Sequence, residues 1–242
     1  MKILEPEHVT LPICLAEDSN ERAFLRSFLK PGFVFWDIGA CYGLYTGPAS
    51  RLVGDSGSVL SFEPNPEAYQ LLLQTIKLNN LTNVSPNEVA VSDHLGEVDF
   101  HISTRVNHGS LGKPHEGENK TIKVQSVTID SLIEAGCPAP SLIKIDANGA
   151  EPLVLKGGQR LWYLSPKNKN SPPTLIVKFN KQHQGMPPSE ECHIYLPSFY
   201  SWFKIDGEGK LVGPVQASVN KPNPGGKGHQ NLVAYPSVLV HS

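Results

Sequence analysis

Short apolar runs that stop on an acidic residue punctuate this chain, and each has the length of a strand buried on both faces of a parallel sheet. Phe33-Val34-Phe35-Trp36 ends in Asp37 and reads as the first strand. Val59-Leu60-Ser61-Phe62 ends in Glu63, and Leu142-Ile143-Lys144-Ile145 ends in Asp146. Leu175-Ile176-Val177 supplies a further buried strand. A helix is expected over Leu44 to Leu52, with Gly47-Pro48 weakening or kinking its start. Asn65-Pro66-Glu67 combines an N-cap, a proline at the first helical position and an early carboxylate. Behind it Tyr69, Leu72, Leu73 and Ile76 recur at the spacing of one helix face.

Further along, Glu88 to Val91 reads as the end of a third strand, and Val98 to Ser103 with Thr121 to Val127 as an antiparallel pair. The polar stretch Thr104 to Lys120 between them is expected to be a long loop. Phe199 to Ile205 and Leu232 to Tyr235 read as two final strands, separated by a Pro/Gly-rich loop at Lys221 to Gly228. Strands alternating with helices imply an α/β fold with a mostly parallel sheet and helices on both faces. The 242 residues suit one domain, taken as residues 33–242, with 1–32 as an N-terminal extension.

Composition narrows the function classes. Lys plus Arg number 21 against 23 Asp plus Glu, so no global positive field favours nucleic acid. Cys14, Cys41, Cys137 and Cys192 form no CxxC pair, which argues against a zinc knuckle or disulfide framework. Met1 to Glu17 carries three glutamates and lacks the basic and apolar regions of a secretory signal. No apolar run reaches the roughly 18 residues of a membrane helix. A soluble, cytoplasmic protein is expected, with no membrane partner; the oligomeric state is open.

The chemistry concentrates where the first two strands end. Asp37-Ile38-Gly39-Ala40-Cys41-Tyr42-Gly43 marks the turn out of the first strand, the place where such sheets bind ligands and where glycine lets backbone come close. Glu63, ending the next strand, is placed to accept hydrogen bonds from both ribose hydroxyls of an adenosine. Cys41 and Leu44 stand where a GxGxxG motif needs glycines, so the pyrophosphate loop is absent. No Lys or Arg occurs between Phe33 and Ser50, which suits a cationic sulfonium better than a diphosphate. The plainer alternative is that Asp37 caps a helix and the glycines only make a turn.

Several blocks together resemble the FkbM family of methyltransferases. They are Trp36-Asp37-Ile38-Gly39-Ala40, Phe62-Glu63-Pro64-Asn65-Pro66, Ala90-Val91-Ser92-Asp93, Val127-Thr128-Ile129-Asp130-Ser131-Leu132, and Ile143-Lys144-Ile145-Asp146 with Gly149-Ala150-Glu151. The resemblance runs from about Phe33 to Val177. It implies a Rossmann-like class I methyltransferase with a seven-stranded sheet, S-adenosylmethionine as cofactor, and O-methylation of a hydroxyl on a sugar, polyketide or similar small molecule. By the same resemblance Asp37, Gly39 and Gly43 line the methionine and sulfonium end, with Ala40 beside them. Glu63, with Pro64 and Asn65, serves the ribose, and Glu88 or Ala90 the adenine edge. Two positions depart from the family pattern by lacking an expected acid: Asn148, and Lys178 in Val177-Lys178-Phe179-Asn180. Both changes remove negative charge near the expected substrate mouth.

Methyl transfer relies on near-attack geometry, with a base needed only to help an alcohol react. Asp146, at a strand end, is the leading candidate beside the methyl group; helix capping is its plainer role. Glu151 is a second candidate, balanced against a simple helix-start preference. His108 and His183 are candidate bases, since imidazole titrates near neutrality, against the alternative of ordinary surface histidines. Asp146 with Asn180 could supply oxygen ligands, but Lys178 beside them leads us to expect no metal. Trp36, Tyr42 and Tyr45 are expected beneath the cofactor or sheet, and Trp162, Tyr163, Tyr200 and Trp202 in the core. Two other functions compete: a methyltransferase-like binding domain that has lost turnover, and a nicotinamide-dependent oxidoreductase, which the missing glycine disfavours.

Overall fold

A computed structural model describes residues 19–103, 109–111, 118–163, 172–180, 189–216 and 229–237. Its main sheet is built from β1 (Val34–Ile38), β2 (Ser58–Phe62), β3 (Val84–Asn87), β8 (Leu142–Ile145), β9 (Thr174–Asn180), β10 (Tyr200–Ile205), β11 (Leu211–Val215) and β12 (His229–Pro236), in the order β11-β10-β12-β9-β8-β1-β2-β3. The five strands from β3 to β9 run parallel, and β12 inserts antiparallel between β9 and β10. The order reverses between β1 and β8, which makes the crevice above their carboxyl ends the natural ligand position. The sheet exceeds the expected seven strands by β11, a short edge strand that turns back on β10 through the Asp206 loop.

Side-chain alternation divides the core. Trp36, Leu60, Ile143, Val177 and Leu232 face one way, packing with Val154, Leu155, Leu161 and Trp162 of α5 (Glu151–Lys156) and α6 (Gln159–Trp162) and with Ile129 of α4 (Ile129–Glu134). Phe35, Val59, Leu142, Ile176 and Val233 face the other way. There they meet Ala49 and Val53 of α2 (Thr46–Val53) and Phe24 and Leu25 of α1 (Ser19–Phe28). Helix α1 lies inside the segment taken from sequence as an extension, yet it covers this face of the sheet with Leu25 fully buried. The helix after β1, α2, begins at Thr46 rather than Leu44, with Gly47-Pro48 inside its first turn, where a proline interrupts no ladder.

Helix α3 (Pro66–Leu78) starts as the sequence indicates, with the Asn65 side chain accepting from the Glu67 N–H. Its buried line is Ala68, Leu72 and Thr75; Tyr69, Leu73 and Ile76 flank it half-buried.

Two strand assignments change. The third strand of the main sheet is Val84–Asn87, and Ala90–Val91 (β4) belongs to a separate four-stranded sheet, where it pairs with the strand that ends at Val127. That small sheet contains the expected antiparallel pair, β5 (Gly96–Ser103) with β7 (Glu118–Val127), and adds β6 (Gly109–Leu111) from within the stretch read as loop. Ala90, Phe100, Ile102, Leu111 and Val124 pack it onto Ala150 after β8, so it forms an arm beside the carboxyl end of that strand. Among the aromatics, Tyr163 is exposed rather than in the core, while Trp36, Trp162, Tyr200 and Trp202 are buried. No helix among the described residues is long and apolar enough to cross a membrane.

Candidate active site

Strand register explains how the site's charges meet. Asp37 on β1 pairs with Lys144 on β8, and Ser61 on β2 pairs with Asp37, so these three project from one face at the same level. Asp37 is fully buried, accepts from Thr46 Oγ1 at 2.7 Å, and at its other oxygen has, among the described residues, the longer ion pair with Lys144 Nζ, 3.6 Å. Burial pushes its carboxyl above the ordinary value, while Lys144 and the Thr46 hydroxyl oppose the shift. Lys144 Nζ also lies 3.6 Å from Asp146 Oδ2 and 4.6 Å from the centre of the Tyr45 ring. At the next level out, Lys178 Nζ approaches Asp146 Oδ2 at 3.1 Å.

The turn after β1 is pressed against this cluster. Gly39 and Ala40 both donate their N–H to the Phe62 carbonyl, and Asp146 N–H donates to Ile38. Gly39 has φ +76°, and a Cβ there would overlap the Asp146 carbonyl oxygen, so both its conformation and its packing require glycine. Gly43, at φ +93°, ends the turn and faces Leu72 and Thr75.

Glu63 spans the two loops. Its Oε2 accepts from the Cys41 N–H at 2.8 Å and its Oε1 from the Asn65 N–H at 2.9 Å. Each carboxylate oxygen has a second acceptor position. Burial raises Glu63 to about 7, against the opposing pull of those two N–H groups. Pro64 is half-buried and Asn65 is buried as the α3 cap. Glu88 is exposed just beyond β3, whose Asn87 carbonyl accepts from the Glu63 N–H. Ala90 packs its side chain into the arm, and its backbone pairs with Ser126 of β7.

Glu151 is fully buried and clamps the loop that follows Asp146, accepting from Ala147 N–H at 3.0 Å and Gly149 N–H at 2.9 Å. Burial and the nearby Asp146 charge raise it to about 7. Asn148, at φ +48°, sends its Nδ2 to the Gly109 carbonyl at 2.9 Å, tying this loop to the arm. The two departures from the family pattern thus do more than remove charge: Asn148 is a tether, and Lys178 is a cation paired with Asp146. His108 and His183 lie outside the described residues, as does the side chain of Asn180.

Lys144, Tyr45 and Thr46 were not singled out for chemistry from sequence. A lysine inside an otherwise apolar strand, two positions before an acid, was the available signal, because alternation puts Lys144 and Asp146 on one face.

The comparisons with known proteins fit this arrangement. Residues 37–185, more than half of the chain, match the Methyltransferase FkbM domain, and the chain belongs to that family. It is similar to the hexuronic acid methyltransferase AglP of Haloferax volcanii, 29% identical over 125 residues that cover 51% of this chain and 49% of that protein. The chain thus aligns with about half the length of this curated relative.

Among solved structures, the fold resembles a putative rRNA methylase from Clostridium thermocellum, with a TM-score of 0.53 and 10% identity over 88% of this chain and 92% of that one. An O-methyltransferase from Bacillus cereus in complex with SAH gives a TM-score of 0.51 and 12% identity over 95% and 83% of the two chains. Both likenesses concern the Rossmann-like methyltransferase fold.

The buried Glu63 carboxylate carries a prediction. A ribose hydroxyl donates best to an ionised carboxylate, and S-adenosylhomocysteine keeps its own carboxylate and ammonium charged around neutrality. With Glu63 near 7, affinity should rise with pH and be about tenfold weaker at pH 6 than at pH 8. Calorimetric titration at the two pH values checks this. Glu63→Gln should flatten the dependence, whereas Glu151→Gln should leave it; a flat profile in the wild type would mean that Glu63 does not serve the ligand.

Proposed function

We propose that this protein is an S-adenosylmethionine-dependent methyltransferase that methylates a hydroxyl oxygen of a small molecule of the sugar class. The observation that carries the reading is the joint made by Gly39, Glu63 and Asp146. A glycine turn too close-packed for any Cβ, a buried acid joining the two cofactor-side loops, and a second acid at the facing strand end all meet at the topological switch point. These residues suit the cofactor: Glu63 would hold the ribose, Asp37 and the Gly39–Gly43 backbone the methionine end, and Glu88 with the Ala90 backbone the adenine side. When bound, S-adenosylmethionine supplies an electrophilic methyl group on a sulfonium whose departure leaves a neutral thioether.

The chain's own part is placement. Asp146 would accept the acceptor hydroxyl's hydrogen bond, orienting it and taking its proton, while Lys144 and Lys178 fix the carboxylate in place. Glu151 and Asn148 act as positioning residues, because they hold the Asp146 loop from behind and from the arm. The sugar class is supported by the AglP similarity, whose named acceptor is a hexuronic acid. The test is incubation with S-adenosylmethionine labelled on the methyl group and a panel of sugars and sugar acids. Label appearing in an ether-linked methyl supports the reading; cofactor binding without transfer to any of them favours the binding-domain alternative.

A further inference from the structure

Lys144 and Lys178 both reach Asp146, but they occupy different surroundings. Lys144 is buried between Asp37 and Asp146 over Tyr45, with its side chain 7% exposed, and acts as the internal counter-charge of two acids. Lys178 sits one level further out and is 22% exposed, matching Asp146 at 21%. A carboxylate and an ammonium, both partly exposed, therefore stand side by side at the end of β8 and β9, 3.1 Å apart. Asn231 of β12 pairs in register with Lys178, so its amide lies on the same sheet face, and it is partly exposed. The line Asp146, Lys178, Asn231 crosses β8, β9 and β12, on the opposite side of β1 from Glu63 and the adenosine loops. The proposed function, with Asp146 meeting the acceptor hydroxyl, puts the acceptor on that side.

Such a line matches a particular kind of molecule. Asp146 accepts from a hydroxyl, the Lys178 ammonium attracts an anion, and an amide bonds either. A sugar acid carries a carboxylate and ring hydroxyls on neighbouring carbons, which is the complementary arrangement. Resting on the proposed methyl-transfer role of this site, we propose that Lys178 anchors the carboxylate of a uronic acid acceptor while Asp146 meets the adjacent hydroxyl.

The test uses the full chain saturated with S-adenosylhomocysteine and titrated with methyl β-D-glucuronide or its neutral counterpart, methyl β-D-glucoside. The glucuronide should bind about tenfold or more tightly, as a charge-assisted contact implies. Lys178→Met should remove that preference by weakening the glucuronide at least tenfold more than the glucoside, and Lys178→Arg should retain most of it. If Lys178 served only as a counter-ion to Asp146, Lys178→Met would weaken both glycosides alike and the ratio would survive. That outcome, equal binding by the wild type, or binding of neither glycoside overturns the proposal. S-adenosylhomocysteine titrated first into each sample separates the two levels: if it does not bind, the methyl-transfer reading itself fails.

Discussion

Asp146→Asn is expected to lower methyl-transfer turnover by about a hundredfold or more while leaving S-adenosylhomocysteine affinity within a few fold. The substitution is nearly isosteric, so packing changes little. What it removes is the charge that faces Lys144 at 3.6 Å and Lys178 at 3.1 Å, and it replaces one of the two acceptor oxygens with a donor. An amide does not titrate and cannot take the proton. The backbone of residue 146 would still support the Gly39 turn, because that contact is made by its carbonyl oxygen rather than its carboxylate. Single-turnover rates at saturating cofactor, set beside calorimetric affinities, separate the two effects. Lost affinity with retained turnover would make Asp146 a cofactor ligand instead.

Gly39→Ala should be more damaging to binding than any other single-atom-scale change near the site. Holding an L-residue in the left-handed region costs about 1–2 kcal/mol. The new Cβ would also drive into the Asp146 carbonyl oxygen, which is backbone and cannot rotate aside. Forcing that joint apart adds a cost on the order of 1–3 kcal/mol and separates the cofactor turn from the end of β8. Both melting temperature and S-adenosylhomocysteine affinity should fall, the latter by about a hundredfold or more. Gly43→Ala is the control: its Cβ would touch only the Leu72 and Thr75 side chains, at 3.1 and 3.3 Å, so the left-handed penalty dominates there. Equal effects of the two substitutions would show that the Gly39 turn does not depend on its contact with Asp146.

The parts of this fold legible in sequence were those governed by period and by local chemistry. Buried parallel strands announced themselves as apolar runs ending on Asp37, Glu63 and Asp146, and Asn65-Pro66 marked a helix start that the structure places at Pro66. Elements that depend on distant partners were harder. Ala90-Val91 looks like any short strand, and only its pairing with Ser126 and Val127 assigns it to the arm. β6 and β11 are short and contain glycine, so nothing local distinguishes them from loop. At the site, residue types at strand ends were readable, but their partners were not. Lys178 pairs with Asp146 across 32 positions and Asn148 reaches Gly109 across 39, distances over which no sequence period speaks.

Titration of S-adenosylhomocysteine into the folded wild-type protein tests the central claim most directly, because a ligand that binds only the native state must raise the melting temperature, and the heat of titration gives its stoichiometry and affinity. One molecule should bind per chain, and at a hundredfold excess over the dissociation constant it should add about 2.7 kcal/mol to stability. NAD, whose diphosphate finds no glycine-rich cradle after β1, should give neither signal. A folded protein that shows no heat and no melting shift at saturating S-adenosylhomocysteine would contradict the assignment of Gly39, Gly43 and Glu63 to a cofactor site.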